Sequence, residues 1–315
     1  MVDNYGRTIT YLRLSVTDLC NLRCKYCMPE AGICKKRHED MLTEDEMIAA
    51  VTAAARMGIR KIRITGGEPL VKKNILSICR RTAAVEGIEE VCLTTNGVLL
   101  KDFAVPLKEA GVNRLNISLD TLDAEKFREI TRGGELEAVL AGIDAALTAG
   151  FRRIKINAVL MGGFNDDEIA ELAGLTKERS VDMRFIELMP MVDVGYKDFD
   201  YLPVSVVLDK LPELEPLSID GVAKLYRLPG AVGSVGLISP VSDNFCAGCN
   251  RIRLTADGRF KPCLHAPAEY SVQGMTAEGM MEQFAKAVLA KPRWHGELST
   301  ENRSQAGREM NEIGG

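Results

Sequence analysis

No stretch of the 315 residues approaches the ~18 consecutive apolar residues of a membrane span, and the N-terminus lacks the hydrophobic core of a secretion signal. A cytoplasmic protein with no membrane phase is predicted. Basic charge is not in excess either: 40 Lys and Arg stand against 44 Asp and Glu, a formal net charge of −4. That balance argues against a general nucleic-acid binder, although a local basic cavity could sit inside an acidic total. No low-complexity segment is present, and no internal repeat beyond a strand–helix rhythm. A chain this long buries roughly three quarters of its unfolded surface, so it has no need of disulfide staples. Its nine cysteines therefore suggest metal or redox chemistry.

What the sequence does have is order. From Tyr11 to Leu188, short β-rich runs alternate with longer helical patterns, and strands are predicted at 11–16, 61–65, 91–95, 114–119, 154–160 and 183–188. Thr43 followed by Glu46 reads as a capping box, with Gly58 ending that helix. Leu136, Val139, Leu140, Ile143 and Leu147 keep helical spacing, with Gly150 just beyond. Six strand–helix units in series call for a parallel sheet covered by helices.

Polar groups gather at the strand C-terminal ends: Thr65-Gly66-Gly67-Glu68, Thr94-Thr95-Asn96-Gly97, Ser118-Leu119-Asp120 and Glu187. In parallel α/β folds that edge carries the site. These groups converge better around a barrel mouth than along a flat edge, so an incomplete (βα)6-type partial barrel is predicted. After Pro190 the rhythm stops, and Pro203, Pro212, Pro216, Pro229 and Pro240 punctuate short strands. Two regions follow, a core over 1–190 and a C-terminal region over 191–315. Within the second, strands at 251–255 and 259–263 flank Asp257-Gly258 as a hairpin. A last helix covers 276–289, and the polar tail ends in Gly314-Gly315.

Six of the cysteines form two triplets. Cys20-x3-Cys24-x2-Cys27 follows the first strand, and Cys246-x2-Cys249-x13-Cys263 straddles the hairpin. A four-iron cube takes thiolates at its corners, so three of them leave one iron open. A structural zinc ion takes four ligands. Cys34 or His38 at the first triplet, and His265 at the second, keep that alternative open. Arg251 and Arg253 alternate on one strand and share a face, which reads as an anion clamp, phosphate foremost, or as a solvated strand face.

Cys-x3-Cys-x2-Cys after the first strand, with Thr65-Gly66-Gly67-Glu68-Pro69 after the second, resembles the radical S-adenosylmethionine (SAM) superfamily. Cys246-x2-Cys249-Asn250-Arg251-x-Arg253-x-Thr255, with Gly258 and Cys263-Leu264 after it, resembles the GTP 3′,8-cyclase family of molybdenum cofactor biosynthesis. Agreement extends to Asp3, Gly6-Arg7, Tyr11-Leu12-Arg13, Thr17-Asp18, Lys291-Pro292, His295 and the terminal glycines.

The resemblance implies a radical SAM partial barrel whose C-terminal extension holds a second iron–sulfur cluster. It implies two 4Fe–4S clusters, on Cys20, Cys24 and Cys27 and on Cys246, Cys249 and Cys263, with SAM as the further cofactor. The first triplet, together with Gly314 and Gly315, is implied in catalysis. Tyr26, Gly67, Ser118 and Met189 match SAM-contacting positions; Arg13, Arg63, Thr94, Lys155, Arg251 and Arg253 match GTP-contacting ones. Implied partners are GTP as substrate, an electron donor and a downstream cyclic pyranopterin monophosphate synthase, and a homodimer is compatible with the family. A radical SAM peptide-modifying enzyme and a zinc-bearing interaction module are the competing readings. Cys34, Cys79, Cys92, His38 and His265 are given no role.

Overall fold

Strands that read as nearly continuous apolar runs are covered on both faces. Leu12, Leu14, Ile62, Ile64, Leu93, Leu115, Ile117 and Ile156 are all fully buried. The computed structural model describes residues 1–33, 36–191, 198–299 and 301–314. Six strands run parallel in chain order: β1 (Tyr11–Ser15), β2 (Lys61–Thr65), β3 (Glu90–Thr95), β4 (Arg114–Ser118), β5 (Ile154–Leu160) and β6 (Val181–Glu187). Between them lie α1 (Glu44–Arg56), α2 (Ile75–Ala83), α3 (Leu100–Glu109), α4 (Ala124–Thr131), α5 (Leu136–Thr148) and α6 (Ile169–Glu178).

The local signals act as read. Thr43 and Glu46 close a complete capping box on α1, and Gly58 follows with φ +104°. Leu136, Val139 and Ile143 form the buried face of α5, and Gly150 takes φ +81°. The sixth strand starts at Val181, two residues before the predicted start, because its pairing with β5 already begins there.

Residues after 190 feed both edges of this sheet. After α7 (Val206–Lys210), the strands β7 (Glu215–Asp220), β8 (Ala223–Arg227) and β9 (Val235–Ile238) continue beyond β6, with β9 parallel to it. On the other side β10 (Arg251–Leu254) lies parallel to β1, followed by β11 (Arg259–Lys261) and β12 (Tyr270–Ser271). The result is one twelve-stranded sheet whose end strands, β12 and β7, do not meet. Side chains from β1 to β6, β9 and β10 line one common cavity, so the sheet is curved into an open barrel. Two further helices, α8 (Ala277–Leu289) and α9 (Met310–Ile313), complete the chain. Phe284 of α8 meets Phe260 of β11 edge-on, their rings 5.4 Å apart.

Candidate active site

The loop 17–27, which bears the first triplet, is fixed from two sides. From β2, Gly67 N donates to Thr17 O (2.7 Å) and Glu68 N to Leu19 O (2.8 Å). A Cβ on Gly66 would stand 2.5 Å from Thr17 O, and one on Gly67 2.3 Å from Leu19 O. The glycines are thus required by the cysteine loop itself, a nearer cause than approach to a ligand. From α4, the carbonyls of Thr131 and Ile130 accept from Arg23 N and Lys25 N. Arg132 donates to Arg23 O (2.8 Å) and Met28 O (3.1 Å). Its φ of 53° makes it the one left-handed non-glycine among the described residues. That conformation costs about 1–2 kcal/mol, offset by the two carbonyls it ties.

Carboxylates surround these thiols. Burial, and then the charges of Cys27 and Asp120, hold Cys24 well above an ordinary thiol. Burial and Cys20 push Cys27 up to about 12; Cys20 is raised too, by burial first. Glu68, 1% exposed, accepts from Leu70 N (2.9 Å), Thr95 Oγ1 (2.8 Å) and Asn96 N (2.7 Å). Burial lifts it to about 7 despite those donors. Asp120 is lifted by burial to about 6 while accepting from Tyr26 OH (2.7 Å) and Val159 N (2.8 Å). The Tyr26 hydroxyl is thereby committed to Asp120. Ser118 at the end of β4 lines the same cavity, as does Met189, which packs against Met191 and Ile313.

The second triplet has the opposite surroundings. Arg7, paired with Asp3 at 2.6 Å, donates to Cys246 O (2.8 Å) and Pro292 O (2.7 Å). Lys291, 3% exposed, donates to Arg251 O (2.6 Å) and Pro262 O (2.8 Å), with its ammonium 3.7 Å from Cys249 Sγ. Burial opposes the Cys249 thiolate, but Lys291, Arg251 and Arg7 together bring that thiol below its usual range. Burial keeps Cys246 above it. His265 sits 3.0 Å from Ser304 Oγ, and its ring lies tilted by 58° against that of His295 with 4.9 Å between centroids. Burial and the charge of His295 push it down to about 3, so it is neutral.

Among the described residues, no three His, Cys, Asp or Glu side chains gather tightly enough for a single metal ion. Within each triplet the thiols still feel one another's charge. Two sets of three thiols on one cavity fit four-iron cubes in which three irons would each take one thiolate and the fourth would stay open. Cys34 falls outside the described residues. Cys79 and Cys92 are buried away from both sets.

Both triplets open onto a cavity of about 570 Å³. Arg253, Arg13 and Arg63 stand in register across β10, β1 and β2. Tyr11 lies among them: its hydroxyl accepts from Arg63 Nε, and the guanidinium carbons of Arg63 and Arg251 are each 5.8 Å from its ring. Burial would raise the Tyr11 phenol, but Arg63, Arg13 and Arg251 bring it down to about 8. Burial brings Arg13 down to about 10. Burial, then Arg13 and Arg251, take Arg253 far below its usual value. The Nε atoms of Arg13 and Arg251 are buried with no hydrogen-bond partner. Concentrated, partly unpaired cations inside a cavity make an anion site.

Thr94 Oγ1 accepts from Arg63 (3.2 Å). Lys155 lines the same cavity but is paired with Asp220, which also lies 3.6 Å from Arg184. The Gly314 carbonyl accepts from Arg253, and a Cβ there would stand 2.9 Å from Thr65 Cγ2 and 3.0 Å from Ser15 Cβ. Asn311 donates to Asp18 O (2.9 Å), tying the tail to the first cysteine loop. Gly315 falls outside the described residues. Sequence reasoning named Tyr11 and Lys291 only as part of the family resemblance, without a role, and missed Arg184 and Asn311. Only Tyr11 had a local signal, since it alternates with Arg13 on β1.

The Radical SAM superfamily model matches residues 14–176, and the Molybdenum Cofactor Synthesis C model matches residues 181–296. The chain is 45% identical over 321 residues to a GTP 3′,8-cyclase of Alkaliphilus oremlandii (strain OhILAs), covering 100% of both. It is 48% identical over 325 residues to one of Peptoclostridium acidaminophilum, covering 100% of this chain and 98% of that one. The chain belongs to the GTP 3′,8-cyclase family of radical SAM enzymes. Its cofactors are 4Fe–4S clusters and SAM. Among solved structures, Streptococcus suis SuiB bound to precursor peptide SuiA superposes with TM-score 0.67 at 15% identity, covering 92% of this chain and 67% of that one. The anSMEcpe structure with bound AdoMet gives 0.59 at 16%, covering 87% and 77%. Both share the predicted α/β partial barrel.

Proposed function

We infer that the chain is a lyase that converts GTP to 3′,8-cyclo-7,8-dihydroguanosine 5′-triphosphate, the first step of molybdenum cofactor biosynthesis. The observation that carries this reading is the cavity between the two thiol triplets, with unpartnered buried Nε atoms on Arg13 and Arg251. Cys20, Cys24 and Cys27 would hold one 4Fe–4S cluster, and Cys246, Cys249 and Cys263 the other. The first would supply the electron for reductive cleavage of SAM, and the second an iron without a protein ligand for the guanine base.

The chain's own residues bind and orient. Arg13, Arg63, Arg251, Arg253 and Lys155 hold the triphosphate, and Thr94 fixes the Arg63 fork. Gly67, Ser118, Met189 and Tyr26 face SAM, with Asp120 locking the Tyr26 ring. Gly314, tied to Arg253 and packed against Thr65 and Ser15, holds the C-terminal tail beside the reacting carbons. In this reading residues 1–190 form the radical-generating core and residues 191–315 the substrate-binding region. An external electron donor and a downstream cyclic pyranopterin monophosphate synthase are the partners, and the cytoplasm is the compartment. No helix among the described residues is long and apolar enough to cross a membrane.

Anaerobic incubation of the cluster-loaded protein with GTP, SAM and dithionite tests the reading. Methionine, 5′-deoxyadenosine and a cyclised guanosine triphosphate should appear together. Production of 5′-deoxyadenosine with GTP recovered unchanged would overturn the substrate assignment and leave the radical SAM chemistry standing.

A further inference from the structure

Two carboxylates each hold a pair of cations on the cavity wall, and they do so from opposite sides of it. Glu90 pairs with Lys61 (2.6 Å) and with Arg114. It belongs to a separate outer cavity, lined also by Glu89, Lys108 and Arg152. Asp220 pairs with Lys155 and approaches Arg184 Nη2 at 3.6 Å, and it lines the inner cavity itself. Four of the inner cations form two contrasting pairs. Arg13 and Arg251 keep unpartnered Nε atoms, whereas Lys155 is engaged by Asp220, and Arg184 by Asp220 and, at 3.7 Å, by Asp182.

We propose that Asp220 is a placeholder anion, which occupies Lys155 and Arg184 in the free protein and yields them to the terminal phosphates of the nucleotide. The inference rests on the reading of this cavity as the GTP site. A terminal phosphate carries more charge and more acceptor oxygens than a carboxylate, so it competes well for Lys155. The displaced carboxylate loses little, because its side chain is 45% exposed and rehydrates readily.

Its support is built to move. Asp220 ends β7, the unpaired edge of the whole sheet, all six of whose residues are exposed. The register slips between Pro216 and Ile219, and Gly221 turns the chain at φ +63°. Such a lightly anchored hairpin opens at small cost. The same exchange makes this end of the cavity count phosphates. A nucleotide too short to reach Lys155 leaves Asp220 in place.

Calorimetric binding of GTP, GDP, GMP and guanosine to cluster-loaded wild type, Asp220→Asn and Glu90→Gln tests this. Asp220→Asn should bind GTP roughly two- to fivefold tighter, the scale of a half-exposed ion pair, and guanosine no tighter than wild type does. Glu90→Gln removes the same charge from behind the wall and should not tighten GTP binding. In the wild type, amides of residues 215–227 should exchange faster when GTP is added, and Asp220→Ser should repeat the Asn result. Unchanged or weaker GTP binding by Asp220→Asn would overturn the proposal. So would equal tightening for guanosine, or equal tightening by both variants. Failure of the wild type to bind GTP at all would overturn the cavity reading and this inference with it.

Discussion

Cys27 and Cys249 are both half-buried thiols, yet neighbouring charge reinforces burial at one and overrules it at the other. Around Cys27 stand Cys20, Glu309 and Asp120, with Glu68 close by Cys20, and the thiol rises to about 12. Around Cys249 stand Lys291, Arg251 and Arg7, and the thiol falls below its ordinary range. The cavity is thus charge-sorted from one end to the other. A carboxylate-rich end suits the sulfonium cation of SAM, and an arginine-rich end suits a triphosphate. Metal loading differs as well, since thiolate ligands must shed their protons. The first set releases them against its surroundings, whereas in the second Cys249 is helped by Lys291, Arg251 and Arg7.

The largest expected effect separates the two ends outright. Replacing Cys20, Cys24 and Cys27 together by Ala should remove roughly half of the bound iron, one cube of two, and take 5′-deoxyadenosine formation below detection. Replacing Cys246, Cys249 and Cys263 should cost as much iron but spare SAM cleavage while abolishing the cyclised product. Iron and sulfide assays beside chromatography of both products give the answer, and loss of SAM cleavage in both variants would break the comparison.

Next comes Arg253→Met, which removes a charged donor from the arginine-rich end and a tether from Gly314. GTP affinity should fall about ten- to a hundredfold, the scale of a charge-assisted hydrogen bond, with SAM affinity unchanged in calorimetry. An equal loss for SAM would mean that the ends are not electrostatically separate.

Lys291→Met should be milder. It leaves the carbonyls of Arg251 and Pro262 without their donor, at about 1–3 kcal/mol for each unsatisfied group. Denaturant unfolding should shift accordingly, and iron should be lost from the second set before the first.

Smallest is the titration of Tyr11. Its phenol should ionise near pH 8 in the nucleotide-free protein, read as phenolate absorbance that Tyr11→Phe abolishes. The folded value lies below that of the unfolded chain, so this group adds stability as pH rises from about 8 to 10. That contribution is lost as pH falls back through 8. Bound GTP brings negative charge beside the phenol and should push the transition upward.

Much of this was legible in the residues alone. The thiol spacing, the strand–helix rhythm, the caps at Thr43 and Gly150 and the shared face of Arg251 and Arg253 are local features. Periods and turns act over a few positions, so a sequence displays them. Lys291 is different: its role depends on burial against Cys249 and Pro262, which only tertiary packing brings about. Asp220 likewise meets Lys155 through a hairpin at the far edge of the sheet. The parallel pairing of β10 with β1 had no signal either, because a parallel neighbour needs no shared turn. The two adjacent glycines, Gly66 and Gly67, are a third case. Their tight contact is with the loop 17–27, and no spacing rule points to it.

That pairing of β10 with β1 also dictates an order of assembly. Asn250 and Thr10, where the two strands begin, are 240 residues apart along the chain. During synthesis, β1 to β6 can pack against their helices as each emerges, since every neighbour lies nearby in sequence. The outer edge of β1 stays open until the last quarter of the chain arrives to cover it. The loop of the first cysteine triplet is therefore fixed in a packed core before the second triplet has been synthesised, and the two sets of thiols are completed at different moments.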